Sequence, residues 1–238
     1  SNIEVNAKIV DRSKNVEIVK QILNHLEQGH REALVNMATG TGKTKVAMAV
    51  IDALIRARYI QNVLFVVDRI ALGKQAFDDF EETLRSEPRT ILNEFHDFDM
   101  DKRMYVSTVQ TLKSKNPGGG FKMQKFSPGF FDLIIFDEAH SSYYDSERLL
   151  FTYFDAIKIG LTATPSKSEF RDTFELFNCP DKKPTIKYDY DEALLDAILV
   201  PYDAHIIDTK VLKEGIKGME LDDDLKTALI KQDEDPDH

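Results

Sequence analysis

An α/β fold built on a mainly parallel central sheet is predicted by two features of the chain. Short β-rich apolar runs alternate with stretches of helical periodicity, the order that strands joined by crossover helices require. The run Leu133-Ile134-Ile135-Phe136 is apolar without interruption, which fits a strand covered on both faces rather than one with a wet side.

Each element has its own signal. Residues 15–28 place Val16, Val19, Ile22, Leu23 and Leu26 on one side of a helix that ends at Gly29. A strand is predicted at 33–37, then a helix at 43–58 rich in Ala, Val, Ile and Leu at helical spacing, then a strand at 63–67. Ala71, Gln75, Phe77 and Phe80 predict a helix over 70–84 that covers one face, and 104–107 reads as a further strand. Residues 113–129 contain Asn116-Pro117-Gly118-Gly119-Gly120 and Ser127-Pro128-Gly129, so a long mobile surface loop is expected there. Strands are predicted at 131–136 and 157–162. After Pro165 the pattern weakens to a short helix at 169–177, a strand at 185–190, a helix at 191–197 and a strand near 204–207. No internal repeat is visible.

Composition bounds the function. The 238 residues are 42% hydrophobic and 30% charged, an ordinary globular balance that excludes disordered and collagen-like chains and allows one or two domains. The single cysteine, Cys179, can form neither an internal disulfide nor a multi-cysteine zinc site, so a reducing, cytoplasmic setting is expected. No apolar run approaches the roughly eighteen residues that cross a bilayer, and the N-terminus has no signal-peptide pattern, so a soluble protein with no membrane partner is expected. The chain opens on Ser1-Asn2 rather than Met, a boundary of the kind tag cleavage leaves.

The net charge of −10 argues against coating nucleic acid by bulk electrostatics. Much of it sits in residues 201–238, where eleven acidic side chains face five lysines. The nearly balanced body can still present a local basic groove, and the acidic tail reads as a solvated or connecting segment.

Three stretches carry chemistry. Met37-Ala38-Thr39-Gly40-Thr41-Gly42-Lys43-Thr44 lies between a predicted strand and a predicted helix. Glycines let backbone N–H groups curl around a phosphate, and the helix N-terminus adds partial positive charge. Lys43 supplies a cation for the β/γ-phosphates, and the Thr44 hydroxyl can ligate Mg²⁺. Met37 stands where the usual P-loop formula has glycine, and such a turn can also simply join a strand to a helix. Asp137 and Glu138 end the buried strand, at the sheet edge where parallel folds bind ligands. Asp137 suits Mg²⁺ and Glu138 suits a water-orienting base; the plainer reading is a solvated pair capping the next helix. Leu161-Thr162-Ala163-Thr164-Pro165 closes another strand, with hydroxyls able to bond His140, or it is only a strand end with a proline stop.

Taken together, residues 37–44, Asp137-Glu138-Ala139-His140 and Thr162-Ala163-Thr164 resemble motifs I, II and III of superfamily 2 helicases and translocases. Phe65-Val66-Val67-Asp68-Arg69-Ile70-Ala71-Leu72 resembles motif Ia, and Val106-Ser107-Thr108-Val109-Gln110-Thr111-Leu112 resembles the strand-contacting motif after it. A narrower likeness comes from Phe126-Ser127-Pro128-Gly129-Phe130-Phe131-Asp132-Leu133, Tyr153-Phe154-Asp155-Ala156, Asp191-Glu192-Ala193 and Leu199-Val200-Pro201-Tyr202, which are similar to the motor subunit of type I restriction enzymes. Type III subunits share much of this wording.

The resemblance implies a RecA-like P-loop three-layer sandwich, first motor lobe only. It implies ATP and Mg²⁺ as ligands, with Thr39, Gly40, Thr41, Gly42, Lys43 and Thr44 on the nucleotide and Thr44 and Asp137 on the metal. Lys43, Asp137, Glu138 and His140 would be catalytic, and Thr162 and Thr164 would couple phosphate state to DNA. Arg69, Thr108 and Gln110 would touch DNA backbone phosphates, contacts that position without reading sequence; Arg69 can also be an ordinary surface arginine. The family usually opens with Arg-x-Tyr-Gln, whose Gln reads adenine. Here Arg12-Ser13-Lys14-Asn15 occupies that place, and Asn15 is one methylene shorter, so preference for ATP over GTP comes from the family alone.

The expected organisation is an N-terminal helix with a degenerate adenine motif at 1–30, a RecA-like lobe at 31–200, and an acidic connection at 201–238. The implied function is the ATP-binding translocase domain of a type I restriction-modification enzyme acting on double-stranded DNA. Its implied partners are specificity and methylase subunits, with the second lobe and the nuclease outside this chain; Asp172 and Asp181-Lys182-Lys183 read as surface rather than nuclease. Without the second lobe's arginines, hydrolysis is expected to be slow. The alternatives are a stand-alone helicase lobe and a non-hydrolytic nucleotide-gated binding module, the latter disfavoured by Glu138.

Overall fold

The computed structural model describes residues 3–68, 77–78, 88–92, 101–139, 144–163 and 170–201. The predicted helix at 70–84, apart from Phe77 and Asp78, and the predicted strand near 204–207 lie outside these residues. So do Arg69, His140 and Thr164.

Helix α1 (Ser13–Glu27) buries Ile18, Val19, Ile22 and Leu23, spaced three and four apart, and it stops where Gly29 takes a left-handed φ of 91°. Strand β1 (Glu32–Met37), helix α2 (Lys43–Arg56) and strand β2 (Val63–Val67) come next as one βαβ unit. The next strands are β3 (Arg89–Ile91) and β4 (Met104–Thr108), then short helix α3 (Val109–Lys113). Strand β5 (Leu133–Asp137), helix α4 (Tyr144–Tyr153), strand β6 (Ile157–Thr162), helix α5 (Phe170–Leu176), strand β7 (Ile186–Tyr188) and helix α6 (Tyr190–Leu195) complete the order.

Among the described residues seven strands form one sheet in the order β3-β4-β2-β5-β6-β1-β7, and every neighbouring pair is parallel. Alternate residues of the central strands feed two separate cores. Ala33, Val35, Met37, Val63, Phe65, Leu133 and Ile135 pack with α1 and α2 on one face. Leu34, Leu64, Val66, Ile134 and Phe136 pack with Phe126, Phe131, Leu150, Phe154 and Phe177 on the other. Covering on both faces is why the strand sequences are continuously apolar, and it makes the lobe an α/β three-layer sandwich of RecA-like type.

The expected mobile loop at 113–129 is corrected by the structure. Lys115 and Phe121 form an antiparallel bridge, Asn116 N–H donates to Gly120 O at 3.0 Å, and Asn116 Nδ2 donates to Phe121 O at 3.1 Å. A single 3₁₀ turn, Lys122–Lys125, then drives Met123 and Phe126 into the core. Phe126, Phe130, Phe131 and Tyr105 pack edge-to-face or tilted, with ring centroids 4.9–5.7 Å apart. The Pro-Gly cluster marks a tight hairpin tip, and the apolar residues after it outweigh the turn signal. Helices α3 and α4 and the three-residue strand β3 had no distinct periodicity in the sequence, being too short or mixed for one.

The chain divides into compact units at residues 1–200 and 201–238, and of the second only Pro201 is described. Among the described residues no helix is long and apolar enough to cross a membrane.

Candidate functional site

Because all strands run parallel, their carboxyl ends share one edge, and the loops that leave it converge. The first is the turn from β1 into α2. Thr41 is buried and its Oγ1 donates to Ala38 O at 2.6 Å, closing the turn on itself. Gly42 caps α2 with φ 101° and ψ 35°, a left-handed conformation, and no side chain among the described residues caps the helix. A Cβ at Gly42 would stand 2.8 Å from Asn15 Nδ2, so conformation and space both require glycine here.

Helix α1 buttresses this turn from below. Asn15 is 1% exposed, and its Nδ2 donates to Thr41 O at 3.0 Å. Arg12 Nη1 donates to Gly40 O at 3.3 Å and to Thr41 O at 3.4 Å. Both candidate cofactor residues of the degenerate adenine motif therefore have donors on the turn's carbonyls. The first amides of α2 have no intrahelical acceptors, which is the arrangement that binds phosphate.

The second loop leaves β5. Asp137 ends the strand, and Glu138 turns the chain with a left-handed φ of 56°. Ala139 N–H then donates to Leu161 O of β6 at 2.8 Å. The turn brings Glu138 Oε1 to 2.6 Å from Lys43 Nζ, with the two side chains 27% and 10% exposed. The lysine of the glycine-rich turn and the second acid of the DEAH stretch thus meet across 95 residues of chain.

The donors here suit Mg²⁺ bound with phosphates. The Thr44 hydroxyl in the first turn of α2 and the Asp137 carboxylate are hard oxygens, and a cation held largely by substrate phosphates needs only one or two such protein ligands. No cluster of three or more His, Cys, Asp or Glu forms a metal cage among the described residues.

The remaining predicted residues fall in different places. Thr39 and Gly40 are exposed on the turn. Thr108 caps α3, its Oγ1 accepting from Thr111 N–H at 3.1 Å and donating to Thr111 Oγ1 at 3.0 Å, while Gln110 is exposed beside it. Thr162 is fully buried at the end of β6.

Two features escaped the sequence. Ala38 N–H donates to Tyr188 O of β7 at 3.0 Å, and Lys14 Nζ lies 5.6 Å from the Tyr188 ring centroid. The phenol is pushed up to about 12, first by burial and then by the Asp196 carboxylate. Beside it, Arg12, Ser13, Lys14, Glu17, Asp196 and Ile198 line a cavity of about 400 Å³. Its residues come from opposite ends of the chain, and no local pattern announces that meeting. The other feature is Asn36, a buried amide inside an apolar strand, legible in the sequence only as one polar letter in an apolar run.

A parallel sheet covered on both faces, with a glycine-rich turn after β1 whose lysine touches the acidic turn after β5, two strands away, is the architecture of a RecA-like helicase lobe. Residues 8–167 match the family described as type III restriction enzyme, res subunit, and the chain belongs to that family. It is 32% identical over 230 residues to the type I restriction enzyme EcoKI endonuclease subunit of Escherichia coli K12, covering 84% of this chain and 18% of that protein. It is 29% identical to the EcoAI endonuclease subunit of Escherichia coli, covering 92% of this chain and 27% of that protein. The chain therefore spans about a fifth to a quarter of these relatives. Among solved structures, a fragment described as an HsdR subunit of a type I restriction enzyme from Vibrio vulnificus YJ016 matches with a TM-score of 0.56 and 26% identity, over 76% of this chain and 30% of that one. The SWI2/SNF2 ATPase core of Sulfolobus solfataricus, at 16% identity and a TM-score of 0.58 over 75% of this chain and 37% of that one, shares the fold.

Proposed function

We propose that this chain is the first motor lobe of a type I restriction-modification enzyme, binding ATP and, within the complete motor, coupling its hydrolysis to movement along double-stranded DNA. The observation that carries this reading is the 2.6 Å contact between Lys43 Nζ and Glu138 Oε1, which unites the glycine-rich turn and the acidic turn in one cleft.

In this reading the triphosphate of the substrate rests on the backbone of residues 39–43 and on Lys43. Thr44 and Asp137 would hold Mg²⁺, which would supply charge neutralisation when bound. Lys43 transfers its contact from Glu138 to phosphate, and Glu138 then orients a water molecule and accepts its proton. The base lodges in the cavity beside Arg12, and Arg12 and Asn15 act on it through the turn they brace. His140, Thr162 and Thr164 pass the state of the site onward, Arg69 and Gln110 contact the DNA backbone, and Thr108, buried as the cap of α3, acts by holding Gln110 beside it. Residues 1–30 brace the lobe formed by 31–200, and 201–238 lead toward a second lobe. Specificity and methylase subunits and a nuclease domain complete the assembly, in the cytoplasm where its DNA lies.

Replacing Lys43 with Ala tests the assignment by titration with a fluorescent ATP analogue in the presence of Mg²⁺. Binding is expected to fall below detection, and unchanged affinity would refute the reading.

A further inference from the structure

Asn36 and Thr162 are register partners on the adjacent parallel strands β1 and β6. Strand alternation places Asn36 on the face of Leu34, and Thr162 on the face of Gly160, where a Cβ would stand 2.6 Å from the Phe177 ring. Both point into the same core, side by side on strands about 4.8 Å apart. Asn36 is 2% exposed and Thr162 is 0% exposed, yet Asn36 Oδ1 and Thr162 Oγ1 have no hydrogen-bond partner among the described residues. Two adjacent buried oxygens without partners, one of them on a hydroxyl able to donate to the other, form a pair poised to bond rather than one already bonded.

The position of the pair gives this meaning. Asn36 lies one residue before the turn sequence Met37-Ala38-Thr39-Gly40-Thr41-Gly42-Lys43-Thr44. Thr162 comes directly after Leu161, whose carbonyl accepts from Ala139 N–H at 2.8 Å, and Ala139 adjoins Glu138, the partner of Lys43. Thr173 of α5 donates to Ala139 O at 3.4 Å, so the same backbone unit is also tied to the helix packed beneath. A shift of the Glu138 turn therefore reaches Thr162 through a single hydrogen bond.

We infer that Asn36 is a positioning residue for the nucleotide site: when Lys43 leaves Glu138 for phosphate, the Thr162 hydroxyl donates to Asn36 Oδ1 and fastens β6 to β1. This inference rests on the nucleotide-binding reading and adds a residue to it. Linkage makes the effect reciprocal, so the bond that forms with nucleotide strengthens nucleotide binding, while its absence without nucleotide leaves a buried polar cost.

The test uses the apolar isosteres Asn36→Leu and Thr162→Val, alone and together, read by thermal melting and by titration with Mg-ATPγS. Without nucleotide, each single variant is expected to melt higher than wild type, by about 2–4 °C, since each removes a buried group with no partner. Each is expected to bind nucleotide about five-fold more weakly, the worth of one ordinary hydrogen bond. The double variant should bind no more weakly than either single one, and Thr162→Ser, which keeps the hydroxyl, should restore wild-type affinity. A lower melting point without nucleotide, unchanged affinity, additive losses or failure of the Ser rescue would each overturn the inference. If Lys43→Ala abolishes binding while Asn36→Leu leaves it intact, the inference fails and the nucleotide reading stands; if wild type binds no nucleotide, both fail.

Discussion

Gly42 is the residue on which the site's geometry turns. It starts α2 in a left-handed conformation, and any side chain there meets Asn15, whose amide is already bonded to Thr41 O. Gly42→Ala is expected to cost about 1–3 kcal/mol of stability through backbone strain and to displace the Asn15 brace as well. Chemical denaturation would read the first effect, and titration with Mg-ATPγS the second as weakened binding. Glu138 is a second special residue. As a non-glycine with φ 56° it holds a conformation costing of order 1–2 kcal/mol, and that turn is what aims its carboxylate at Lys43.

At the scale of elements, the segment 113–129 belongs to the core, because Met123 and Phe126 are 1% and 0% exposed. Phe126→Ala should therefore destabilise the lobe by about 3–5 kcal/mol in urea unfolding, where a solvated loop residue would give almost nothing. Helix α6 depends on its start. Asp189 caps it by accepting from Glu192 N–H at 3.1 Å, while Glu192 Oε2 accepts from Asp189 N–H at 3.3 Å. The hydrogen bond from Lys187, then that from Glu192 N–H, holds the Asp189 carboxyl below its ordinary 3.8. A depressed carboxylate stabilises the fold above the unfolded value and loses that contribution as pH falls through the folded one. Asp189→Ala is expected to cost about 1 kcal/mol at pH 7, with the gap from wild type closing as the pH drops below 3.8, measured by urea unfolding across pH.

For the molecule as a whole, one RecA-like lobe presents the cleft of Lys43 and Glu138 at the carboxyl edge of its sheet. In the proposed motor a facing lobe supplies the cations that stabilise the transferring phosphate, and such an arginine is typically worth ~10³–10⁵ in rate. The chain by itself is expected to bind Mg-ATP and turn it over slowly, with or without DNA, in a phosphate-release assay. Rapid DNA-stimulated turnover by this chain alone would contradict that expectation. Adding the second lobe should restore the rate, and Glu138→Gln in that longer protein should abolish turnover while preserving binding.

The alternation of strand and helix, the doubly buried β5 and the three motif stretches were all readable from local order, since apolar periodicity and a glycine-lysine turn are properties of neighbouring residues. Strands β2 and β6 fall on their predicted residues, and β1 begins one residue early. Local order could not show that 113–129 folds inward, because turn residues report a change of direction and not the burial of the apolar side chains beyond the turn. Nor could it show which of the two acids faces Lys43, that Asn15 and Arg12 brace the turn, or that Asn36 and Thr162 lie abreast. Those facts depend on the sheet order β5-β6-β1-β7, which is set by packing between segments far apart in the chain. The sequence by itself determined the class of fold and the chemistry available to it; only the tertiary structure decided which side chains meet, because contact across an all-parallel sheet is a property of strand order and register rather than of adjacency along the chain.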